Sequence, residues 1–249
     1  VVQITQICKL KKHIYLLFLS FFVCSCGQLN DEEKFIAMMD AEWQRGIEKN
    51  PLYASSMGIL NNNDKWLTYS LEQIELDNLH NKKILDQLNN FDENSFQNSD
   101  NLLNFELFKK QYIDSIEAHK YKNFLIPFSH RGGIQLQHES AETLPLRNIS
   151  HYEDWIARLD TIDIYINNHI SIARQGIKEG IMPPRILMDR VLDQIEAQAF
   201  VKPNLSPFLK AFEEMHESIS DSDKAIIRTK ALQVIEKKVI PAYIQFYNF

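Results

Sequence analysis

The sequence predicts an all-α fold, a multi-helix array of long antiparallel helices. Glycine makes up only 7 of 249 residues, which disfavours turn-rich sandwiches, barrels and glycine-looped nucleotide folds. Apolar residues past the N-terminal region recur three or four apart and do not alternate, as helices require. A hydrophobic content of 45%, a charged content of 24% and a mean hydropathy of -0.30 indicate a chain that forms a core, and they exclude disorder and a multi-span membrane protein.

The first half of the chain contains three predicted long helices. The first runs from about residue 31 to 49 and ends before Pro51, because a proline disfavours helical geometry in the residue that precedes it. A capping-box pattern at Ser70 opens the second helix, which extends to about residue 90. The third covers residues 98–120. The first helix carries apolar residues four apart, which are Phe35, Met39, Trp43 and Ile47.

The second half begins with a long irregular segment, residues 121–149, in which prolines and glycines interrupt the helical pattern. A loop of this length inside a compact domain is usually functional or disordered. The clearest helix is then predicted from Ser150 to Ile177, where apolar residues keep spacings of three and four. Further helices are predicted to open at Pro184, at Ser206 and at Ser220.

Residues 1–25 have the pattern of a lipoprotein signal peptide. A basic cluster at residues 9–13 precedes an apolar run at 14–23 that spans only about half of a bilayer core. The ending Val23-Cys24-Ser25-Cys26 resembles a bacterial lipobox, which predicts lipidation at Cys26, a tether over residues 26–32 and one helical domain over 33–249. The alternative is a secretory peptide cut elsewhere. Lipidation would place the protein in the cell envelope, exported and lipid-anchored, in the periplasm or at the outer membrane, with the membrane as a partner.

Charge and cysteine content exclude several functions. The formal net charge is -6, and residues 1–26 carry three lysines and no acid, so the remainder has 24 basic against 33 acidic residues, or -9. Nucleic acid is therefore not an expected partner. The 3 cysteines, Cys8, Cys24 and Cys26, all lie in those first residues, so the helical domain can form neither a disulfide nor a thiolate metal site.

Two segments partly match patterns of metal sites. A helical zinc peptidase needs His-Glu-x-x-His, because residues four apart place both imidazoles on one helix face. His138-Glu139 and His216-Glu217 begin this pattern, and the second histidine is missing in both. Glu213 with His216 resembles one half of a di-iron site, which needs a second copy and two further glutamates. The sequence thus predicts no metal ligand in this chain, and solvated polar segments are the simpler interpretation.

The loop over residues 128–135 is the best candidate for a binding surface. Gly132 and Gly133 allow backbone amides to approach a ligand, Arg131 can hold a carboxylate through two hydrogen bonds, and Gln135 follows them. The alternative is a tight turn that packs one helix layer on another.

The C-terminal segment, residues 242–249, is rich in aromatic residues and has no terminating glycine or polar tail. Domains usually end in solvent-tolerant residues. We expect either that this segment packs on the preceding helices or that the polypeptide is meant to continue. Continuation is favoured, because exposed apolar ends promote aggregation.

Several motifs in order resemble the N-terminal half of the bacterial family called domain of unknown function 885. They are Glu42-Trp43, the segment 50–54 (Asn-Pro-Leu-Tyr-Ala), the segment 125–133, the segment 152–159 (Tyr-Glu-Asp-Trp-Ile-Ala-Arg-Leu) and the segment 176–185 (Gly-Ile-Lys-Glu-Gly-Ile-Met-Pro-Pro-Arg). The resemblance covers residues 33–249. It implies a secreted or lipid-anchored helical protein similar to zinc metallopeptidases of the gluzincin type.

The family's metal-binding residues lie in its second half, so the resemblance assigns no catalytic residue and no metal ligand to this chain, and zinc is expected only with the missing C-terminal half. The resulting hypothesis is an N-terminal, non-catalytic portion that forms one wall of a cleft for a peptide substrate. Arg131, Gly132, Gly133, Gln135 and Arg185 are the predicted substrate-facing residues. The alternative is a complete helical envelope lipoprotein that acts as a binding or scaffold module.

Overall fold

A computed structural model describes residues 29–249, and the predicted signal peptide and Cys26 lie outside these residues. The all-α prediction is confirmed, since the described residues contain no strand and only an isolated bridge between Ser129 and Gly132. The α-helices are α1 (Asp31–Lys49), α2 (Pro51–Ser56), α3 (Leu71–Leu88), α4 (Ser99–Lys120), α5 (Ile149–Asp160), α6 (Ile162–Glu179), α7 (Arg185–Ala199), α8 (Asp221–Val234) and α9 (Ile240–Asn248). A π-helix (Ile235–Val239) joins α8 to α9, and the 3₁₀ helices are Glu93–Ser95, Asn123–Leu125, Ile134–Thr143, Pro203–Leu205 and Pro207–Phe212.

Helices α1, α3 and α4 form an N-terminal unit with a small core of its own. Its buried side chains are Phe35, Ile84, Leu88, Phe105 and Tyr112. A polar contact crosses the same unit, because Glu42 of α1 accepts the hydroxyl proton of Tyr112 from α4 at 2.8 Å and lies 2.8 Å from His80 of α3. The three helices are thus joined by one apolar and one polar set of contacts.

The larger core lies among α5 to α9 and the 3₁₀ helices around them. Its fully buried members include Trp155, Leu159, Phe208, Phe212 and Tyr243. Helix α9 packs along α7, and Tyr243 of α9 donates its hydroxyl proton to the carbonyl of Ile134 at 2.5 Å. This contact fixes the 121–149 segment against the C-terminal helices.

The helix predicted over residues 150–177 is two helices, and the prediction of its start was also wrong. Asn148 caps α5 by accepting the N–H of His151 at 3.0 Å, where the sequence pattern had indicated Ser150. The break falls at Thr161, because the carbonyl of Arg158 accepts a bond from Trp66 Nε1 at 2.6 Å and from Thr161 Oγ1 at 3.0 Å. These side-chain donors occupy an oxygen that a continuous helix would use.

The helix predicted from Ser206 is a short 3₁₀ helix, Pro207–Phe212, followed by turns. The predicted apolar face is nevertheless buried at Phe208, Phe212 and Ile219. At residue 216 a local hydrogen bond replaces the backbone hydrogen bonds of a helix, since the N–H of Ser218 donates to His216 Nδ1 at 3.2 Å. Glu213 and His216 therefore do not share a helix face.

Two glycines inside helices differ in what surrounds them, and this gives a test of the packing. A Cβ at Gly176 of α6 would lie 2.7 Å from the carbonyl oxygen of Leu125 and 2.8 Å from that of Ile181, whereas a Cβ at Gly46 of α1 would meet nothing within 4 Å. We expect Gly176→Ala to destabilise the protein by about 2 kcal/mol. Gly46→Ala should stabilise it by about 0.5 kcal/mol. Urea unfolding of both variants measures the difference, and equal effects would contradict the close approach at Gly176.

Candidate functional site

The predicted binding loop is a tight hairpin. Ser129 N–H donates to the carbonyl of Gly132 at 2.8 Å, and Gly132 N–H donates back to the carbonyl of Ser129 at 3.2 Å. Arg131 lies at the tip, and its side chain is exposed. The hairpin therefore presents Arg131 and Gly132 to solvent.

Gln135 lies beneath the hairpin and is fully buried. Its Nε2 donates to the carbonyl of Ser129 at 2.6 Å and to Oε1 of Gln194 at 3.2 Å, and Gln194 Nε2 in turn donates to the carbonyl of His130 at 3.0 Å. Gln135 thus attaches the hairpin to α7, and its side chain does not face solvent.

Gly133 is the residue that allows this packing. Its φ is 141°, and a Cβ there would lie 2.6 Å from both Gln135 Oε1 and Phe128 Cβ. Only glycine adopts this conformation readily. In this arrangement Gly133 and Gln135 shape the hairpin, while Arg131 and Gly132 are the predicted loop residues that a ligand can reach.

Arg185 is the first residue of α7, and its side chain is exposed. No hydrogen bond or ion pair joins its guanidinium to another residue of the described 29–249 region. Gln194, which contacts the hairpin, lies nine residues further along α7, a helical rise of about 13 Å. Arg185 and the hairpin are therefore separate points along one helix and do not converge on one ligand atom.

The structure also forms an apolar groove that sequence reasoning missed. Two adjoining cavities of about 180 Å³ and 270 Å³ share Phe128, Ile177, Met188 and Phe249 as lining residues. The first cavity extends towards Leu125 to Pro127 and towards Ile181 to Pro183, and the second extends between α7 and α9. We call this surface the apolar groove.

Some side chains of the groove are unusually accessible for apolar residues, although others, such as Phe128 and Phe246, are buried. Ile177 is 54% exposed, Met182 57% and Leu192 42%. Asp189 is the one acidic lining residue of the two cavities, and Arg174 places its guanidinium 5.4 Å from the ring centroid of Phe249 at the edge. A contiguous exposed apolar surface with a charged rim is typical of a binding surface.

The sequence pattern had assigned Ile177 to the buried stripe of a long helix. Periodicity shows which residues share a face but not where neighbouring elements stop covering it, since the same stripe is buried at Ile166, Ile170 and Ala173 and exposed at Ile177. Nothing in the sequence indicated that Met182 and Met188 line a groove, because isolated methionines in turns and helices are common. The sequence marked other parts of this surface, namely the paired prolines at 183–184, the segment 125–133 and the aromatic segment 242–249, but not that they meet.

The partial metal motifs do not assemble in the structure. His138 Nε2 lies 4.0 Å from Glu139, its Nδ1 accepts from Gln198 Nε2 at 3.1 Å, and burial lowers the pKa of His138. Glu142, which stands where this motif needs its second histidine, pairs with Lys210 at 2.8 Å. Across residues 29–249, no group of three or more His, Cys, Asp or Glu side chains could hold a metal ion.

Residues 51–249 match the model of a family described as "Bacterial protein of unknown function (DUF885)". The chain belongs to this family. The DUF885 match includes α2 and the entire larger core, together with the hairpin and the apolar groove. No curated protein matches the chain.

A solved structure similar to this DUF885 chain is that of "the putative lipoprotein from Colwellia psychrerythraea", with a TM-score of 0.70 and 13% sequence identity. The similarity covers 88% of this chain and 40% of that one, so the chain spans less than half of its neighbour's length. At this identity the likeness concerns the fold. Within residues 29–249, none of the helices combines the length and the apolar character that crossing a membrane requires.

Proposed function

We propose that this chain is the N-terminal, non-catalytic portion of a lipid-anchored zinc metallopeptidase and forms one wall of its peptide-binding cleft. The observation that carries the proposal is the apolar groove, which is lined by Ile177, Met188 and Phe249. The exposed Arg185 lies about one helical turn before Met188 on α7. Apolar clefts with a few charged groups are the usual form of a ligand site. This chain covers 40% of the Colwellia neighbour. That coverage supports a longer protein in which another portion carries the catalytic residues.

The apolar groove and Arg185 suit different parts of a peptide. Aliphatic or aromatic side chains fit against Phe128, Ile177 and Met188, where contact removes apolar surface of both partners from water. Arg185 is placed to pair with a carboxylate of the substrate, because its guanidinium has five donors and no acidic partner among residues 29–249. Arg131, exposed at the tip of the hairpin that follows Phe128, is the second cation that the proposal assigns to substrate binding.

The lipid anchor belongs to the same proposal. Cys26 would carry the lipid and hold the helical domain at the cell envelope through the tether predicted over residues 26–32, the last two of which are the first two residues of α1. The family resemblance and the description of the Colwellia neighbour as a lipoprotein support this placement. In the proposal, zinc and its ligands belong to the C-terminal portion of the peptidase, and the purified chain should not hydrolyse peptides.

Binding of a labelled peptide tests the groove directly. A short fluorescein-labelled peptide of leucine, phenylalanine and alanine with a free C-terminal carboxylate should bind with a dissociation constant on the order of 0.1 mM. Ile177→Asp should weaken binding by about tenfold or more, since it puts a charge on the apolar floor. Arg185→Ala should weaken binding of the peptide with a free C-terminal carboxylate and should not change binding of the same peptide with an amidated C-terminus. Fluorescence anisotropy measures each constant.

The matched control is Ile164→Asp. Ile164 lies on the same helix α6, is similarly exposed and does not line the apolar groove. Equal binding by both aspartate variants would refute the peptide-cleft assignment, and so would hydrolysis of the peptide by the purified chain. A chain that binds no peptide and remains a soluble monomer would favour the alternative, an envelope lipoprotein that acts as a scaffold module.

A further inference from the structure

The second cavity of the apolar groove, between α7 and α9, combines aromatic rings with one carboxylate. Its aromatic lining residues are Phe128, Phe246, Tyr247 and Phe249. Phe249 is 36% exposed and Tyr247 is partly exposed, while the other two rings are buried. Asp189 is the lining residue with a formal charge. Aromatic rings beside a carboxylate are complementary to a cation that has an apolar stem.

The carboxylate of Asp189 is available to a ligand. Asp189 is exposed on α7, and in the described part of the chain no hydrogen bond or ion pair joins it to another residue, although Arg185 stands one helical turn before it. By contrast, Glu179 at the end of α6 is paired with Lys122. The excess of nine acidic residues over residues 27–249 also favours the approach of a cation.

The ring of Phe249 already holds a cation of the chain itself. The guanidinium of Arg174 lies 5.4 Å from the centroid of this ring, which is within the range of cation–π attraction. No ion pair joins Arg174 to Asp189, so this guanidinium does not neutralise the carboxylate. The groove therefore offers Arg185 to a carboxylate and Asp189 to a cation.

We propose that Asp189 makes the apolar groove selective for peptides that carry a basic side chain, lysine or arginine. The aliphatic stem of such a side chain packs on the aromatic rings, while its charged end reaches the carboxylate. Cation–π attraction to the partly exposed rings adds to the ion pair. An acidic side chain at the same place is repelled. This selectivity names the substrate class of the proposed peptide cleft and rests on that function.

Three matched peptides test the selectivity. They are fluorescein-labelled peptides of alanine, leucine and phenylalanine that differ at one central residue, which is lysine, norleucine or glutamate. Their C-termini are amidated, so that Arg185 has no terminal carboxylate to bind. The lysine peptide should bind about fivefold more tightly than the norleucine peptide, which keeps the aliphatic stem and lacks the ammonium group. The glutamate peptide should bind most weakly, and added salt should reduce these differences. Fluorescence anisotropy measures each dissociation constant.

Two substitutions at Asp189 locate the effect. Asp189→Asn should weaken binding of the lysine peptide by about fivefold and leave binding of the norleucine peptide unchanged. Asp189→Lys should reverse the order of the lysine and glutamate peptides. The matched control is Asp193→Asn, which makes the same change in net charge one turn further along α7. Asp193 is exposed and lines neither cavity, so this variant should keep the preference for lysine.

The outcomes separate this selectivity from the peptide cleft itself. Equal binding of the lysine and norleucine peptides by the unchanged chain would overturn the role of Asp189 and leave the cleft standing. A preference for lysine that persists in Asp189→Asn, or that is lost equally in Asp193→Asn, would overturn that role too. If none of the three peptides binds, the peptide cleft and its selectivity fail together.

Discussion

Replacement of Arg158 by alanine should lower the free energy of unfolding by about 3 to 5 kcal/mol, the largest effect we expect from a single substitution in this chain. Arg158 is fully buried in α5. Its guanidinium carbon lies 5.7 Å from the ring centroid of Trp66 and 6.0 Å from that of Trp155. Its Nη2 donates to Ser55 Oγ at 3.1 Å.

The cost has two physical sources. Burial lowers the pKa of Arg158 to about 10, while Asp64 and Asp154 act in the opposite direction, so the side chain remains a cation at neutral pH. Alanine removes the attraction between this cation and two indole faces, worth about 2 kcal/mol when desolvated. This loss is offset in part, because alanine also removes a buried guanidinium whose Nε and Nη1 have no hydrogen-bond partner among residues 29–249. The substitution also leaves a cavity among Trp66, Trp155 and Ser55, and a cavity of this kind adds to the loss.

Arg158→Met separates the loss of the cation from the effect of the cavity. Methionine fills most of the volume and carries no charge, so it should recover about 2 kcal/mol of what alanine loses. Arg190→Ala, at an exposed position on α7, should change stability by less than about 0.5 kcal/mol. Urea unfolding of the three variants gives the comparison. A loss below about 1 kcal/mol for Arg158→Ala would show that the buried cation does not hold α5 to the segment 55–66.

Arg158 also shows where sequence reasoning reaches its limit. Its place in the motif 152–159 marked it as part of a family pattern, yet nothing in the spacing indicates that its partners come from residues 55–66. Those contacts join segments about a hundred positions apart, and periodicity reports only on neighbours within a helix. The helices were predictable because caps and apolar spacing are local, as α1 and α4 illustrate.

The site was harder to predict than the fold for the same reason. Gly132 and Gly133 favoured a binding loop, with a tight turn as the alternative. The structure has a tight turn there, and the contact that Gln135 makes beneath it is with Gln194 of α7. The apolar groove arises where α6, α7 and α9 meet, and each contributes residues that alone are typical of a core. Exposure of Ile177 is a property of this assembly, so no local pattern could have indicated it.

Acidification from about pH 7 to about pH 5 should lower the free energy of unfolding by about 2 kcal/mol through His169 alone. His169 of α6 is 5% exposed, and its ring lies between those of Tyr69 and Tyr165, with both centroids 4.5 Å away. Its Nδ1 lies 2.8 Å from the carbonyl oxygen of Tyr165, which can only accept, so Nδ1 carries the proton.

Burial lowers the pKa of His169 from 6.5 to about 4, and the bond to the Tyr165 carbonyl only partly opposes this. Between these two values the unfolded chain binds a proton that the folded chain does not. The stability contributed by the neutral histidine is therefore complete above about pH 6.5 and falls as the pH approaches about 4, where the accumulated loss is about 3 kcal/mol. The window above pH 5 avoids most of the titration of carboxylates.

Urea unfolding at both pH values measures the effect. His169→Phe and His169→Gln should each reduce the loss on acidification by about 2 kcal/mol, whatever their stability at neutral pH. Some dependence should remain, because burial also lowers the pKa of His138. Ile166→Val, which removes one buried methyl group from the same helix, should cost about 1 kcal/mol at both pH values and leave the difference unchanged. An unchanged pH dependence in both His169 variants would mean that this ring can be protonated without leaving its place between the tyrosines.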